Sequence, residues 1–276
     1  MKKTILNVDL DSWWALLDLI KKYPDKKKDI VINKSLPRLR KILKLRNIKI
    51  TFFAIGADVE NSPGLYKDLI KDGHEIGNHT YSHNHFLKNE SYPYIKEEIK
   101  KTHDIIQDKL GITPIGFRAP NYSVNETVIH ILKNLGYLYD TSVIPSYHPG
   151  ITPSKFLLAP TTPYNPSEEN ILKKGKTKFI EFPLSINPLL RIPLMGTYTR
   201  IFGLWWLKFG VALNKSYINF NFHARDVVDE LPKDKELPFY VYWKVNKCIS
   251  DTTKMIDYLI KKSKCMSFEQ YLKNYL

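Results

Sequence analysis

Two hydrophobic patterns alternate along the chain and predict strands and helices in turn. Short runs of β-branched and aromatic residues, such as residues 50–54, predict strands. Apolar residues three and four positions apart, as in residues 36–43, predict helices. Strands are predicted at residues 5–10, 50–54, 75–76, 115–117, 137–139, 178–182 and 218–222. Helices are predicted at residues 36–43, 63–72, 95–110, 126–135, 201–213 and 242–262, followed by a final strand and a short helix.

Polar residues that could act in catalysis or ligand binding recur where the predicted strands end. They are Asp9, Asp11, His79, Arg118, Asp140 and His223. Strand and helix alternate without a break in composition, which predicts one α/β domain over residues 1–276 with mostly parallel strands. A (β/α) barrel would bring these residues to one mouth, whereas an open doubly wound sheet would gather fewer of them.

Residues 144–176 interrupt the alternation. Six prolines fall in this stretch, which predicts a long surface excursion rather than a regular element. Its place in the chain, after the fifth predicted strand, would let it cover the barrel mouth.

The charge of the chain suggests an anionic partner. The 276 residues carry a formal net charge of +14, mostly from lysines spread along the sequence. An anionic lipid surface, a phosphate-bearing carrier or an acidic glycan would suit this charge, and a solvated lysine-rich surface is the simpler explanation. No motif with nucleic-acid-binding spacing accompanies the charge, so nucleic acid is not expected as a partner.

Targeting and redox features are sparse. Cys248 and Cys265 lie in apolar settings without metal-ligand spacing, which predicts buried free thiols. The N-terminus lacks the apolar core of a signal peptide, and the apolar segment at residues 201–207 is far shorter than the roughly 18 residues of a membrane span. These features predict a soluble cytoplasmic protein, with the inner membrane surface as a further location.

A histidine pair offers metal ligands. His79 and His83 are four residues apart, so on a helical turn both would face one ion. Asp11 would complete a site of two histidines and one carboxylate with room for water and a substrate oxygen, which suits hydrolysis by a Lewis-acidic metal. The alternative is that the histidines are ordinary surface residues beside His74 and His85, and that the aspartate caps nearby amides.

Three further side chains suggest acid and base chemistry. Asp9 could stay off the metal and accept a proton from water, and Arg118 could orient it through a bidentate contact. His223, at the end of an apolar strand, could protonate a leaving amine, with Asp140 or Asp226 as its hydrogen-bond partner. Alone, the arginine would suggest a surface salt bridge and the histidine a core residue.

In order along the chain, these motifs resemble those of the polysaccharide deacetylases, the NodB-homology family or carbohydrate esterase family 4. The matching segments are Val8-Asp9-Leu10-Asp11, Thr51-Phe52-Phe53, residues 73–83, Gly116-Phe117-Arg118-Ala119-Pro120, Tyr139-Asp140-Thr141-Ser142 and Phe222-His223. Met266-Ser267-Phe268 is similar to the family's last strand. The resemblance therefore covers nearly the whole chain.

The resemblance implies a distorted (β/α) barrel of seven or eight strands and metal-dependent removal of an N-acyl group, acetyl or formyl, from an amino sugar. Carried over by motif, the metal ligands are Asp11, His79 and His83, the base is Asp9, the residue that orients it is Arg118, and the acid is His223. The implied metal is Zn²⁺, with Co²⁺, Ni²⁺ or Mn²⁺ as alternatives. A backbone amide near Tyr122, beside Pro120, would stabilise the oxyanion together with the metal.

Two departures from the family narrow the expected substrate. Leu10 separates Asp9 from Asp11, where adjacent aspartates are usual, and this spacing is similar to that of the deformylases of the lipid-linked aminoarabinose pathway. Secreted wall deacetylases usually carry an export signal, which this sequence lacks. With the basic charge and Trp205-Trp206, these departures favour a cytoplasmic enzyme acting on a nucleotide-linked or lipid-carrier-linked sugar, with a glycan as the other substrate class.

Three other functions fit parts of the pattern. A relative acting on a cyclic amide would use the same residues on a non-sugar substrate. A non-haem iron oxygenase uses two histidines and one carboxylate, but its usual scaffold is all-β. A catalytically silent carbohydrate-binding relative would be free to lose some of the six matched polar residues, and all six are present.

Overall fold

The computed structural model describes residues 2–17, 29–147, 156–214, 217–228, 231, 238–246 and 252–274. Its strands are β1 (Lys2–Leu10), β2 (Thr51–Ala54), β3 (Glu75–Asn78), β4 (Gly116–Phe117), β5 (Tyr139–Asp140), β6 (Ile180–Glu181), β7 (Tyr217–His223) and β8 (Ser263–Met266). Its helices are α1 (Trp13–Leu17), α2 (Leu36–Leu45), α3 (Gly56–Asn61), α4 (Pro63–Lys71), α5 (Tyr92–Leu110), α6 (Glu126–Asn134), α7 (Gly196–Phe202), α8 (Leu204–Leu213), α9 (Phe239–Asn246), α10 (Thr252–Lys262) and α11 (Phe268–Leu272).

The strands form one parallel sheet in the order β6-β5-β4-β3-β2-β1-β7, with β8 also paired to β1. β1 is central because β7 pairs with it along residues 3–9, while β2 pairs with residues 7–10 and β8 with residues 2–5. Residues 4–10 of β1 are all buried. Parallel pairing places the carboxyl ends of β1–β7 at one edge, as the barrel prediction requires.

The sheet curves into a half-barrel with helices around it, which confirms the predicted fold. Aromatic side chains from several strands meet on its concave side, and Phe268 of α11 lies among them, with its ring centroid 4.7 Å from that of Tyr139 and 5.2 Å from that of Phe182. The gap between β6 and β7 is bridged by Ser185, whose backbone N–H donates to the Asn219 carbonyl over 3.2 Å. The largest apolar cluster packs the helices against the convex side.

Most predicted elements are present, with local differences. Asn125 caps α6 by accepting a hydrogen bond from the Val128 N–H, as its position suggested. The helix predicted at residues 201–213 is two helices, because Gly203 adopts a φ of 93° between them. Helix α2 is preceded by a π-helical turn at Val31–Ser35, so the helical segment begins before the predicted start.

Other predictions fall partly outside the described residues. Cys248 lies there, as do residues 148–155 of the proline-rich excursion; residues 156–176 form turns and isolated bridges rather than regular elements. Cys265 is half-buried, and burial raises the pKa of its thiol to about 11. In the part of the chain that is described, no helix has both the length and the apolar character to cross a membrane.

Candidate metal and acid-base site

The carboxyl edge of the sheet collects the polar residues that the sequence placed at strand ends. Asp9 belongs to β1 and lies in register with His223 at the end of β7. His79 follows β3 and Arg118 follows β4, and a backbone hydrogen bond from the Arg118 N–H to the Asn78 carbonyl joins the two strand ends over 3.0 Å. Short apolar strands therefore position side chains that come from distant parts of the sequence.

The histidine pair does not lie on a helical turn, so that part of the prediction was wrong. Thr80 and His83 have φ values of 63° and 60°, and the loop between them is irregular. Its shape is fixed by Glu98 of α5, whose Oε2 accepts hydrogen bonds from the backbone N–H groups of Tyr81 (3.1 Å) and Ser82 (2.8 Å). A buried carboxylate thus holds both imidazoles in place.

Three ligand atoms converge at this loop. Asp11 Oδ1 lies 3.4 Å from His79 Nε2 and 3.5 Å from His83 Nε2, and all three residues are buried. His79 Nδ1 lies 2.7 Å from the Arg118 carbonyl oxygen, to which it can only donate. In the neutral ring the Nε2 lone pair therefore points towards Asp11, which is the tautomer that a metal ligand needs.

The three residues fit a divalent cation. Asp11 Oδ1 is buried and has no hydrogen-bond donor among the described residues, although buried polar atoms are usually satisfied. Ligand atoms about 2.0–2.1 Å from a tetrahedral metal lie roughly 3.3–3.4 Å from one another, close to the spacings observed between Asp11 Oδ1 and the two nitrogens. A cation would satisfy the oxygen and both nitrogens at once.

Electrostatics favours the deprotonated carboxylate and one neutral imidazole even in the protein alone. Burial opposes ionisation of Asp11, but the neighbouring histidines outweigh it and lower the pKa of the carboxyl well below its usual value. Burial lowers the pKa of His83, whereas for His79 the nearby Asp11 and Asp9 overcome burial and raise the pKa.

Asp9 is held by a buried arginine. Arg118 Nη1 donates to Asp9 Oδ1 over 2.8 Å, with Arg118 fully buried and Asp9 4% exposed. The predicted bidentate contact was wrong, because Arg118 Nε and Nη2 donate to the Thr141 carbonyl (3.1 Å) and hydroxyl (3.2 Å) instead. Asp9 Oδ2 is left facing His223, whose Nε2 lies 3.9 Å away.

His223 reaches both aspartates from β7. Its Nε2 lies 3.6 Å from Asp11 Oδ2, and its Nδ1 lies 3.8 Å from Asp226 Oδ2, which accepts the His223 backbone N–H over 3.0 Å. Burial opposes the charge of Asp226, but Arg200, 3.1 Å away, and His223 hold the pKa of this carboxyl well below its usual value. Asp226 therefore places a fixed negative charge behind the imidazole.

Two family models match consecutive parts of the chain. The model of the polysaccharide deacetylase family matches residues 25–139, and the model of a domain of unknown function, DUF3473, matches residues 141–273. Residues 25–139 therefore match a polysaccharide deacetylase domain. Asp9 and Asp11 precede the matched residues, whereas His79, His83 and Arg118 lie within the first model and His223 within the second.

Similar proteins are found among both sequences and structures. An uncharacterized protein, YlxY of Bacillus subtilis, is 32% identical over 53% of this chain and 50% of its own length. The peptidoglycan-N-acetylglucosamine deacetylase PgdA of Listeria monocytogenes is 35% identical over 33% of this chain and 20% of its own length. This chain thus spans half or less of these two relatives.

A solved structure shares the fold along almost the whole chain. The crystal structure of a protein from Mycobacterium smegmatis, described as a putative polysaccharide deacetylase, aligns with a TM-score of 0.64 at 17% identity. The alignment covers 99% of this chain and 89% of that one. Both segments matched by the family models therefore contribute to one deacetylase-type fold.

Asp140 accepts hydrogen bonds from Ser142 within the candidate site and does not contact His223, contrary to one of the two predicted partners. Asp140 Oδ1 accepts the Ser142 hydroxyl over 2.6 Å, and Oδ2 accepts the Ser142 N–H over 3.1 Å. Ser142 Oγ in turn accepts the Ala119 N–H over 2.8 Å, next to Arg118. Burial raises the pKa of Asp140 and of its neighbour Glu181. This network fixes the backbone that carries Arg118.

Pro120 and Tyr122 form a tight turn after β4. The Tyr122 backbone N–H donates to the Ala119 carbonyl over 3.0 Å, so this amide is engaged in the turn and does not support the predicted oxyanion contact. Pro120 is buried, and its carbonyl accepts the Ser123 N–H. The Tyr122 hydroxyl donates to Asn221 Oδ1 over 3.1 Å, which fastens the turn to β7.

Arg225 is the residue that the sequence reasoning missed. It is 7% exposed, and its Nη1 donates to Asp11 Oδ2 over 3.3 Å. The two carboxylate oxygens of Asp11 therefore have different neighbours: Oδ2 accepts from Arg225, and Oδ1 faces the two histidines. The position of Arg225 two residues after His223, in the turn Ala224–Val227 that follows β7, was the available signal.

Proposed function

We propose that this chain hydrolyses an N-acyl group, acetyl or formyl, from an amino sugar, using a divalent cation held by Asp11, His79 and His83. The observation that carries the proposal is the convergence of Asp11 Oδ1 with two imidazole Nε2 atoms at 3.4 and 3.5 Å, beside a separate carboxylate held by a buried arginine. Similarity to PgdA supports the sugar substrate, since PgdA by its name deacetylates N-acetylglucosamine in peptidoglycan.

A bound cation, which we propose to be Zn²⁺, supplies Lewis acidity towards water and an acyl oxygen. Asp9 then has the role of base. Its Oδ1 is fixed by Arg118, so Oδ2 is the oxygen positioned to take a proton as water adds to the acyl carbon. Because the Arg118 guanidinium holds Asp9 Oδ1 in place, the carboxylate needs no reorganisation for this step.

His223 has the role of acid. As the bond between the acyl carbon and the sugar nitrogen breaks, His223 Nε2 gives the departing nitrogen a proton, which yields a free carboxylic acid and a free amine. His223 Nδ1 lies 3.8 Å from Asp226 Oδ2, and His223 Nε2 lies 3.9 Å from Asp9 Oδ2 and 3.6 Å from Asp11 Oδ2, so three carboxylates surround the ring. Two different side chains of one site, Asp9 and His223, thus carry out the two proton transfers.

We further propose that the sugar is linked to a lipid carrier or a nucleotide, and that the enzyme contacts an anionic membrane. The spacing of Asp9 and Asp11 and the net charge of +14 support this choice. The predicted cytoplasmic location remains a prediction, as does the single domain over residues 1–276.

The test combines metal content with release of acetate and formate from N-acylated amino sugars. We expect about one zinc per chain in the wild type, loss of metal in His79→Ala, and metal without turnover in Asp9→Asn. His130→Ala is the matched control, because His130 is an exposed histidine on α6 and its loss should leave both readouts unchanged. Absence of metal from a folded wild type supplied with zinc would disprove the ligand set.

A further inference from the structure

Helix α8 presents an apolar face to solvent. Its sequence, LWWLKFGVAL, contains a single charged residue, Lys208. Trp206, Leu207 and Val211 are buried, yet Trp205 is 60% exposed and Phe209 39%. A helix that is apolar all round normally lies inside a protein or against a membrane, so the outer face of α8 lacks a partner within the described chain.

The buried face of α8 packs on a hairpin that extends this surface. Residues 185–194 form the hairpin, joined by the Asn187 N–H to the Ile192 carbonyl (2.8 Å) and the Leu194 N–H to the Ser185 carbonyl (2.8 Å). Trp206 Nε1 donates to the Pro193 carbonyl over 3.2 Å and locks the helix on the hairpin.

The tip of the hairpin is also apolar and exposed. Leu189 is 69% exposed and Leu190 55%, because their backbone N–H groups donate to Asn187 Oδ1 and turn both side chains outwards. Together with Trp205 and Phe209 of α8, these two leucines form what we term the α8 surface. Leucine, tryptophan and phenylalanine are the residues that enter the headgroup region of a bilayer.

Charge distinguishes between two possible partners of this apolar face, a second copy of the chain and a lipid bilayer. Residues 182–225 contain no Asp or Glu; of their five Lys or Arg residues, Arg200 and Arg225 are buried in ion pairs with site aspartates, and Lys208 is the exposed cation of α8. In a symmetric dimer through the α8 surface, Lys208 would meet its own copy with no acid of this segment to pair with it. An anionic bilayer supplies a negative partner for Lys208, and the net charge of +14 strengthens the attraction.

The α8 surface adjoins the candidate site. Helix α7, which leads into α8, carries Arg200, and this arginine pairs with Asp226 behind His223. Gly196, at the start of α7, lies so close to β7 that an added Cβ would come within 2.7 Å of the Phe222 Cβ. A bilayer bound at α8 would therefore lie beside the elements that hold the proposed acid.

We propose that the α8 surface docks this protein onto an anionic lipid bilayer. Leu189, Leu190, Trp205 and Phe209 enter the headgroup region, and Lys208 contacts lipid phosphates. This arrangement rests on the membrane contact proposed with the function and names the surface that makes it, and it can be tested without any substrate.

The test is co-sedimentation of the full chain with vesicles of phosphatidylcholine mixed with phosphatidylglycerol, and with vesicles of phosphatidylcholine alone. We expect binding to the anionic vesicles, and a loss of about tenfold or more in Trp205→Ser/Phe209→Ser, which keeps every charge. Lys208→Glu should also weaken binding. Leu45→Ser is the matched control, since Leu45 is 73% exposed on α2, and it should bind as the wild type does.

Two results would overturn the proposal. One is unchanged vesicle binding by Trp205→Ser/Phe209→Ser, which would mean that the overall charge alone attracts the protein. The other is concentration-dependent dimerisation in sedimentation equilibrium that the same double variant abolishes, which would assign the surface to a second copy of the chain. Thermal unfolding of each variant verifies that these exposed replacements leave the fold intact. Neither result affects the metal and turnover measurements, so failure of one proposal is distinguishable from failure of the other.

Discussion

Removing the Arg118 side chain should destabilise the protein far more than removing a surface arginine. Arg118 is fully buried, pairs with Asp9 over 2.8 Å, donates two hydrogen bonds to Thr141 and lies with its Cζ 4.5 Å from the centre of the Phe53 ring. Arg118→Met keeps much of the packing volume but leaves the Asp9 carboxylate buried without its cation. Loss of one partner from a buried pair costs about 3–5 kcal/mol, and we expect a loss of this size in the free energy of unfolding.

The measurement is equilibrium urea unfolding of metal-free protein near neutral pH, followed by circular dichroism. Arg40→Met is the control, because Arg40 is 29% exposed and its pairs with Asp68 and Asp72 are solvent-accessible, so its loss should cost no more than about 1 kcal/mol. Adding Asp9→Asn to Arg118→Met should recover about 1–3 kcal/mol, since it removes the unpaired charge.

Two outcomes would refute this reasoning. The first is an Arg118→Met protein as stable as Arg40→Met, which would mean that water or another group compensates Asp9. The second is a double variant no more stable than Arg118→Met, because the cost would then come from lost packing and from the Thr141 hydrogen bonds rather than from charge.

Three further predictions concern pH, packing and metal. Burial lowers the pKa of His74 to about 4, so folding stability should fall as pH drops from about 6.5 to 4, by up to about 3 kcal/mol, and urea unfolding of His74→Asn should show a smaller dependence on pH. Gly116→Ala should lose about 1–3 kcal/mol or more in urea unfolding, because its Cβ would come within 1.9 Å of a buried tyrosine ring, whereas Gly64→Ala, with open space around it, should be neutral or stabilising. Zinc at about a hundredfold excess over its dissociation constant should stabilise the wild type by about 2.7 kcal/mol, and thermal unfolding of His83→Ala should show no such gain.

The sequence predicted where the site lies better than it predicted how the site is held. Strand ends could be predicted because apolar runs stop abruptly at polar residues, as at His223. Their meeting at one edge could be predicted because parallel strands have their carboxyl ends on the same side of the sheet. The irregular conformation of the loop from His79 to His83 could not be predicted from local sequence. The positive φ values of Thr80 and His83 depend on Glu98 of α5, which is distant in sequence.

Competition between hydrogen-bond partners explains the other errors. Arg118 makes one contact to Asp9 because Thr141 takes its remaining N–H groups. Both carboxylate oxygens of Asp140 accept hydrogen bonds from Ser142, two residues away, rather than from His223. Such choices depend on which neighbour lies nearest once the strands are in register, and spacing along the chain does not encode that.

Arg118 links the proposed metal ligands to the proposed base, and it does so through two separable parts. Its carbonyl accepts the His79 Nδ1 proton and so directs the His79 Nε2 lone pair towards Asp11, while its guanidinium orients Asp9. Any replacement of the side chain preserves the carbonyl. Loss of the guanidinium should therefore impair the base and leave the tautomer of the metal ligand unchanged, so the two halves of the site can be disabled independently even though one residue joins them.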